Sequence, residues 1–310
     1  MAHYNFEPNI YHSTIGSHEP VLNISDGDSV STTTVDAGGN DSTNKSITPR
    51  GNPQTGPFYI KGAKPGDTLA VTLDKIGPNR KIGFTSSRIA PNVLDPGYDP
   101  KFQDNRSRIQ WEINMENNTA SPIDLNGPLS NLCLPLCAMI GCFGVAPPRG
   151  QAISTSTSST HGGNMDYNGF IQGTVCYFPV FVDGALFHIG DGHAVQGDGE
   201  IVGTGIEISF DVTFTVHLLK GKIIGWPRGE NDTEIFTAGN ARPLDQCVEH
   251  ATTEMVNWLQ TDYSLDPRSI HILMGQVVEY DLGNFFDPAY TMICKMSKQT
   301  LKNLGVQRNP

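Results

Sequence analysis

The chain has 310 residues, 33 of them glycine and 21 proline, with 17% charged side chains and a formal net charge of −11. That length allows two or three domains or one large elaborated core, and the turn-rich, charge-poor composition points to an all-β or β-rich body. The acid excess, with no Lys or Arg stripe, argues against nucleic acid as a partner, and no run approaches the roughly 18 apolar residues of a membrane helix.

The first eight residues show neither a basic n-region nor an apolar h-region, so no signal peptide is expected. Six cysteines are few for this length and contain no CxxC pair. Cys133, Cys137, Cys142, Cys176 and Cys294 fall in apolar surroundings, Cys247 in a more polar, helix-like stretch. A reducing cytoplasm is the expected compartment.

Residues 1–35 read as an irregular arm followed by β segments, the last at 30–35 rich in β-branched side chains. It ends at Asp36 beside Gly38 and Gly39, either a site carboxylate or an ordinary turn. After a polar loop at 41–50, Gly51, Pro53, Gly56 and Pro57 stiffen a turn that presents Asn52 and Gln54. Strands are expected at 58–60, 68–73 and 111–115. The Gly/Pro/Asn-rich stretch 74–110 reads as a surface excursion, a lid or a subunit contact.

Residues 141–146 form a strand stopped by Pro147 and Pro148, and Cys142 within it is a small buried core residue or a thiol nucleophile. A hydroxyl-rich loop then ends at 161–166, HGGNMD: an imidazole, an amide and a carboxylate within six residues. A buried strand at 173–182 turns at Asp183-Gly184 into a strand at 184–189. Next comes GDGHAVQGDGE at 190–200, with three carboxylates, one imidazole and four glycines. Strands at 201–206 and 207–219 follow, with His217 structural or exposed near the end of the second.

Residues 243–259 have helical spacing, with Val248, Ala251, Met255, Trp258 and Leu259 on one face. Residues 269–279 fit a short helix or a strand, 290–296 a strand, and 298–310 a frayed end. There is no internal repeat, P-loop, GxGxxG or GxSxG.

The chemistry concentrates at 190–200. Buried charge is costly unless it is paired or bound to metal. If the backbone is extended, Asp191 and His193 share one face, as do Asp198 and Glu200. Carboxylate and imidazole at that separation suit zinc or a similar ion. A solvated Gly/Asp-rich turn is the bland alternative.

HGGNMD at 161–166 and GDGHAVQGDGE at 190–200 resemble the acetamidase/formamidase family, supported by NPQTGPFYIKGAKPGDTLAV at 52–71 and GVAP at 144–147. The resemblance runs over roughly residues 20–280. It implies a mainly β fold with three parts: an N-terminal jelly-roll-like sandwich (1–145), a central barrel-like part bearing both motifs (146–240), and an α+β C-terminal region (241–310). It also implies a cytoplasmic amidohydrolase that acts on short amides, binds divalent metal and assembles as a dimer or higher homo-oligomer.

On this reading His161, Asp191 and His193 hold a zinc-like ion, and a second ion such as calcium is allowed. Asp36 and Asp166 are further ligands or support them. Glu200, or Asp198 in its place, is the general base, and Asn164 and Gln54 hydrogen-bond the substrate amide. The rival enzyme reading uses a Cys142 or serine nucleophile. The non-enzyme reading is a β-rich metal- or sugar-binding protein with a structural metal.

Overall fold

The computed structural model describes residues 1–98, 108–306 and 308, so residues 99–107 of the 74–110 excursion lie outside the described residues. The chain is mainly β, with one sheet curled into a half-barrel and most of the helix toward the C-terminus.

Two sheets enclose the main core. A nine-stranded sheet runs in the order His3–Asn5, Ser29–Thr33, Phe210–Leu219, Thr68–Pro78, Val175–Pro179, Arg228–Glu230, Glu234–Ala241, Tyr290–Ser297, Glu279–Asn284. Strands from all three parts named above therefore share it. A seven-stranded sheet runs Ser158–Ser159, Gly162–Asn164, Met139–Val145, Phe187–His193, Gln54–Ile60, Tyr11–His12, with Leu22–Ile24 also on Gln54–Ile60.

Period-two patterning makes the join. Phe210, Val212, Phe214 and Val216 alternate inward from one long strand and are all 1% exposed or less. Phe214 meets Phe58 and Phe187 of the other sheet edge-on, with ring centres 5.1 and 5.2 Å apart.

The helices lie on the nine-stranded sheet. Helix α1 (Leu244–Tyr263) buries Cys247, Ala251, Met255, Trp258 and Leu259, close to the face expected from spacing. It rests on Gly239, where a Cβ would fall 2.0 Å from the Cys247 carbonyl oxygen. Any side chain there would lift the helix off the strand. Helix α2 (Pro267–Val277) resolves the ambiguous 269–279 segment. Asp266 caps it by accepting from the Ser269 N–H, and proline stands at its first turn.

Two expectations need correction. Residues 201–206 form turns, not a strand: Gly203 adopts φ +73°, and its N–H bonds back to the Glu200 carbonyl at 2.7 Å. Apolar Ile201, Val202 and Ile206 suggested a strand, but the glycines set the path. The end at 298–310 is not simply frayed, because α3 (Lys298–Asn303) is capped by Ser297 and anchored by buried Leu301. In addition, Cys133 and Cys137 are exposed, and all six cysteines are free.

Candidate active site

Three neighbouring strands build a buried acidic chamber. Phe187–His193 pairs antiparallel with Met139–Val145, which pairs on its other edge with Gly162–Asn164. Asp191 and His193 come from the first strand, and Asp166 from just beyond the third. Gly141 lies in the strand between them. A Cβ there would fall 2.4 Å from Asp166 Oδ1, 2.7 Å from Asp191 Oδ2 and 3.0 Å from His193 Cε1. The missing side chain thus makes room for the two carboxylates and the ring.

Asp166, Asp191 and Glu200 all have positive φ, at 46°, 62° and 48°. Non-glycine residues reach that region at a cost, and such strain gathers where side-chain direction matters. Asp191 stays inside its strand, yet its Oδ1 comes 3.3 Å from His193 Nε2. The expected common face is therefore reached through a distorted backbone.

Two further carboxylates complete the chamber. Glu207 Oε1 lies 2.9 Å from His193 Nε2. Asp287 shares the Asn284 amide with Asp166 and Glu200, whose oxygens accept from Asn284 Nδ2 at 3.2, 2.7 and 3.0 Å. All five carboxylates are at most 8% exposed. Among the described residues no lysine or arginine is paired with any of them.

Burial, then the neighbouring acids, pushes Asp166 and Glu200 well above the ordinary carboxylate range. Burial raises Glu207 and Asp287 to about 7, with Asp191 adding repulsion. At His193 burial acts to lower the proton affinity, but Glu207 and Asp191 outweigh it and raise it well above normal. The chamber draws positive charge toward Nε2.

The tautomer of that ring follows from its neighbours. Gln196 Nε2 donates to the Asp166 carbonyl, so Gln196 Oε1 accepts from His193 Nδ1–H at 2.8 Å. In the neutral ring Nε2 then carries the lone pair, at the position a proton or a cation would take. Its contacts with Asp191 and Glu207 lack hydrogen-bond geometry, and Nε2, Asp166 Oδ1 and Glu207 Oε2 are buried without partners.

Three overlapping sets have ligand atoms mutually within 4.8 Å: Asp166/Asp191/His193, His193/Glu200/Glu207 and Asp166/Glu200/Asp287. Orphaned buried donor atoms, a glycine cradle and a mixed oxygen and imidazole set all fit a divalent cation.

Of the residues expected from sequence, Asp166, Asp191, His193 and Glu200 meet here. Asp198 is exposed and accepts from Asn168 at 2.7 Å. Asp36 is fully buried but lies outside the three sets. Arg80 and Asn40 take its carboxylate, the Asn40 N–H at 2.9 Å. His161 is also outside them, buried with both ring nitrogens unpartnered, and burial lowers it to about 4.

Asn164 borders the chamber, donating to Asp287 at 2.5 Å and accepting from Asn52 at 2.7 Å. Gln54 is one step further out, donating to Asn52 Oδ1 at 3.1 Å.

Sequence reasoning missed Glu207, Asp287, Asn284, Gln196 and Gly141. Glu207 left a signal, a carboxylate between Ile206 and Ile208 at the start of an apolar strand. Gln196 stands inside the 190–200 motif. Asp287 and Asn284 left none, because they arrive from over eighty residues downstream.

Fold and centre together define a β-sandwich protein with a buried cluster of carboxylates and a histidine whose ligand atoms could hold a cation. The chain belongs to the acetamidase/formamidase family. The family model matches residues 149–251. An acetamidase structure from Yersinia enterocolitica is 30% identical with TM-score 0.82, covering 96% of this chain and 93% of that one. The crystal structure of a predicted acetamidase/formamidase from Thermoanaerobacter tengcongensis is 27% identical with TM-score 0.84, covering 99% of each. The acetamidase of Mycolicibacterium smegmatis is 26% identical over 245 residues, 61% of this chain and 58% of that protein. The chain thus spans little more than half the length of that curated relative.

Proposed function

We propose that this protein hydrolyses a short linear amide, formamide or acetamide, to the carboxylate and ammonia. The observation that carries the reading is the bare Nε2 of His193 among five buried carboxylates that no basic side chain among the described residues balances. The family supplies the reaction class.

Asp166, Asp191 and His193 would hold a divalent ion, zinc by their ligand chemistry, and Asp166, Glu200 and Asp287 form an all-oxygen set suited to a harder ion such as calcium. Such an ion, when bound, supplies Lewis acidity toward a carbonyl and lowers the pKa of water.

The side chains do the rest. Glu200 takes the proton of the attacking water and returns it to the departing nitrogen. Asn284 fixes the Glu200 carboxylate. Asn164 and Gln54 lie on the amide relay that reaches Asp287 and orient the substrate amide. Asp36 and His161 support the surrounding strands.

A Cys142 nucleophile is disfavoured. Its thiol is fully buried, points to the Thr155 carbonyl, and is pushed well up by burial and then by Asp191. Six free cysteines agree with a reducing cytoplasm, and no helix among the described residues is long and apolar enough to cross a membrane. We also infer a homo-oligomer, as the family resemblance implies.

The test is ammonia release from formamide, acetamide and propionamide by the wild type and by Glu200→Gln. Activity on at least one amide, lost in Glu200→Gln with the fold intact, supports the reading. Equal activity in both removes Glu200 from the role. No ammonia from any amide leaves a metal- or sugar-binding protein.

A further inference from the structure

The first part of the 74–110 excursion meets the segments that build the acidic chamber at three places in turn. Phe84, in the strand Ile82–Thr85, exchanges both backbone hydrogen bonds with Glu207, at 3.1 and 2.8 Å. Next, the Ser86 N–H donates to Thr204 Oγ1 at 2.7 Å, and the Ala90 N–H donates to the Ile201 carbonyl at 2.8 Å. Both acceptors belong to the turns that follow Glu200. Asn92 Nδ2 then donates to the Phe285 carbonyl at 2.8 Å and to the Tyr290 hydroxyl at 3.2 Å. Those two residues bracket Asp287.

Local chemistry presents Asn92 for this contact. Pro91 opens the short 3-10 helix Pro91–Val93, and its fixed φ stiffens the chain just before Asn92. Ala90 on the other side of Pro91 is 3% exposed, which anchors the helix, while Asn92 itself is exposed. The Phe285 and Tyr290 rings lie 4.4 Å apart, so one amide group closes both ends of the turn that carries Asp287.

The Glu200 and Asp287 turns also touch directly. The Phe285 N–H donates to the Gly199 carbonyl at 2.8 Å, and the Gly199 N–H donates to the Leu282 carbonyl at 2.9 Å. Phe286 covers Gly203, where a Cβ would fall 2.4 Å from its Cζ. Asn284, next to Phe285, holds the Glu200 and Asp287 carboxylates, and its Oδ1 accepts from the Phe286 and Asp287 N–H groups at 2.9 Å each. Strand pairing fixes Asp191 and His193, but Glu200 and Asp287 stand on turns and need another device.

We propose that residues 84–92 form a clasp that fixes the Glu200 and Asp287 turns against each other, with Asn92 as a positioning residue for the amide hydrolysis. The positioning role rests on the reaction proposed above; the clasp does not. Asn92 acts through Phe285 and Asn284, and it touches no carboxylate of the chamber itself.

Two variants cut the clasp at different ends. Asn92→Asp keeps the shape and replaces the donor with an acceptor, and Thr204→Val removes the acceptor of Ser86. Amide hydrogen exchange of metal-stripped protein is followed over residues 282–290 and 197–205, with the strand Phe210–Leu219 as reference. Formamide and acetamide turnover is measured with Zn2+ restored. Exchange is expected about tenfold faster at 282–290 in Asn92→Asp and at 197–205 in Thr204→Val, with the reference strand unchanged. In Asn92→Asp kcat falls about tenfold while KM moves by less than about twofold, because a misplaced acid–base group slows the chemistry more than binding. Asn92→Gln, which keeps the donor, recovers most of kcat. Exchange equal to wild type in both variants overturns the clasp. Faster exchange with kcat unchanged, or a loss of kcat accompanied by faster exchange in the reference strand, overturns the positioning role. Wild type that releases no ammonia refutes the reaction instead, and the exchange rates then decide the clasp alone.

Discussion

Gln196 holds His193 by its Nδ1, accepting at 2.8 Å while its own amide nitrogen donates to the Asp166 carbonyl. One side chain thus ties the histidine to the backbone of a carboxylate thirty residues upstream and decides which ring nitrogen faces the chamber. Gln196→Leu should weaken Zn2+ binding about 10–100-fold with little loss of stability, whereas Gln196→Glu, which keeps the acceptor, should retain most of it. Calorimetric titration of the stripped protein distinguishes the two. Equal affinities across all three proteins would remove Gln196 from the site.

Gly141 gives the steric counterpart. A methyl placed there meets Asp166 and Asp191 at 2.4 and 2.7 Å. Gly141→Ala should cost about 1–3 kcal/mol of stability and displace the carboxylates, so that metal content falls even in folded protein. Denaturant unfolding and metal analysis of one preparation read both effects. Unchanged metal content in a folded variant would show that the chamber does not need this opening.

Much of this architecture is legible in the sequence, and what is not has a physical reason. The motifs at 161–166 and 190–200 bring Asp166, Asp191, His193 and Glu200 into play because strand ends rich in glycine and acid have no place in a dry core. Glu207, Asp287 and Asn284 escape because strand pairing and a distant turn, not local spacing, bring them in. Asp36 reads as a site carboxylate until Arg80, 44 residues on, takes its charge. His161 keeps company with a strand face that periodicity cannot choose. Residues 201–206 look like a strand because Ile201, Val202 and Ile206 are apolar, while Gly203 and Gly205 turn the chain.

The sandwich core makes a direct prediction. Phe214 is fully buried and joins the sheets through Phe58 and Phe187. Phe214→Ala should destabilise the protein by about 3–5 kcal/mol. The measurement is the shift in chemical unfolding midpoint at constant slope. A loss comparable to that of an exposed position would mean the sheets are joined elsewhere.

Acid stability should depend on Asp28. The N–H groups of Ala2 and Ser25 donate to its carboxylate at 2.6 and 2.8 Å and hold it below the ordinary range. A depressed carboxylate stabilises the fold above its unfolded value of about 4, and the contribution fades as pH falls through the folded value. Asp28→Asn should therefore be less stable than wild type at pH 7 and converge with it near pH 2. Unfolding curves across that range check the sign. A constant gap at all pH values would assign the effect to packing.

If the acidic chamber is a metal-dependent amidase centre, activity follows bound metal. The most direct measurement is ammonia release from formamide and acetamide before chelation, after it, and after Zn2+ is restored, with bound metal counted at each stage. Activity and metal should fall together and return together, and His193→Ala should lack both. Full activity in protein shown to carry no metal would contradict it.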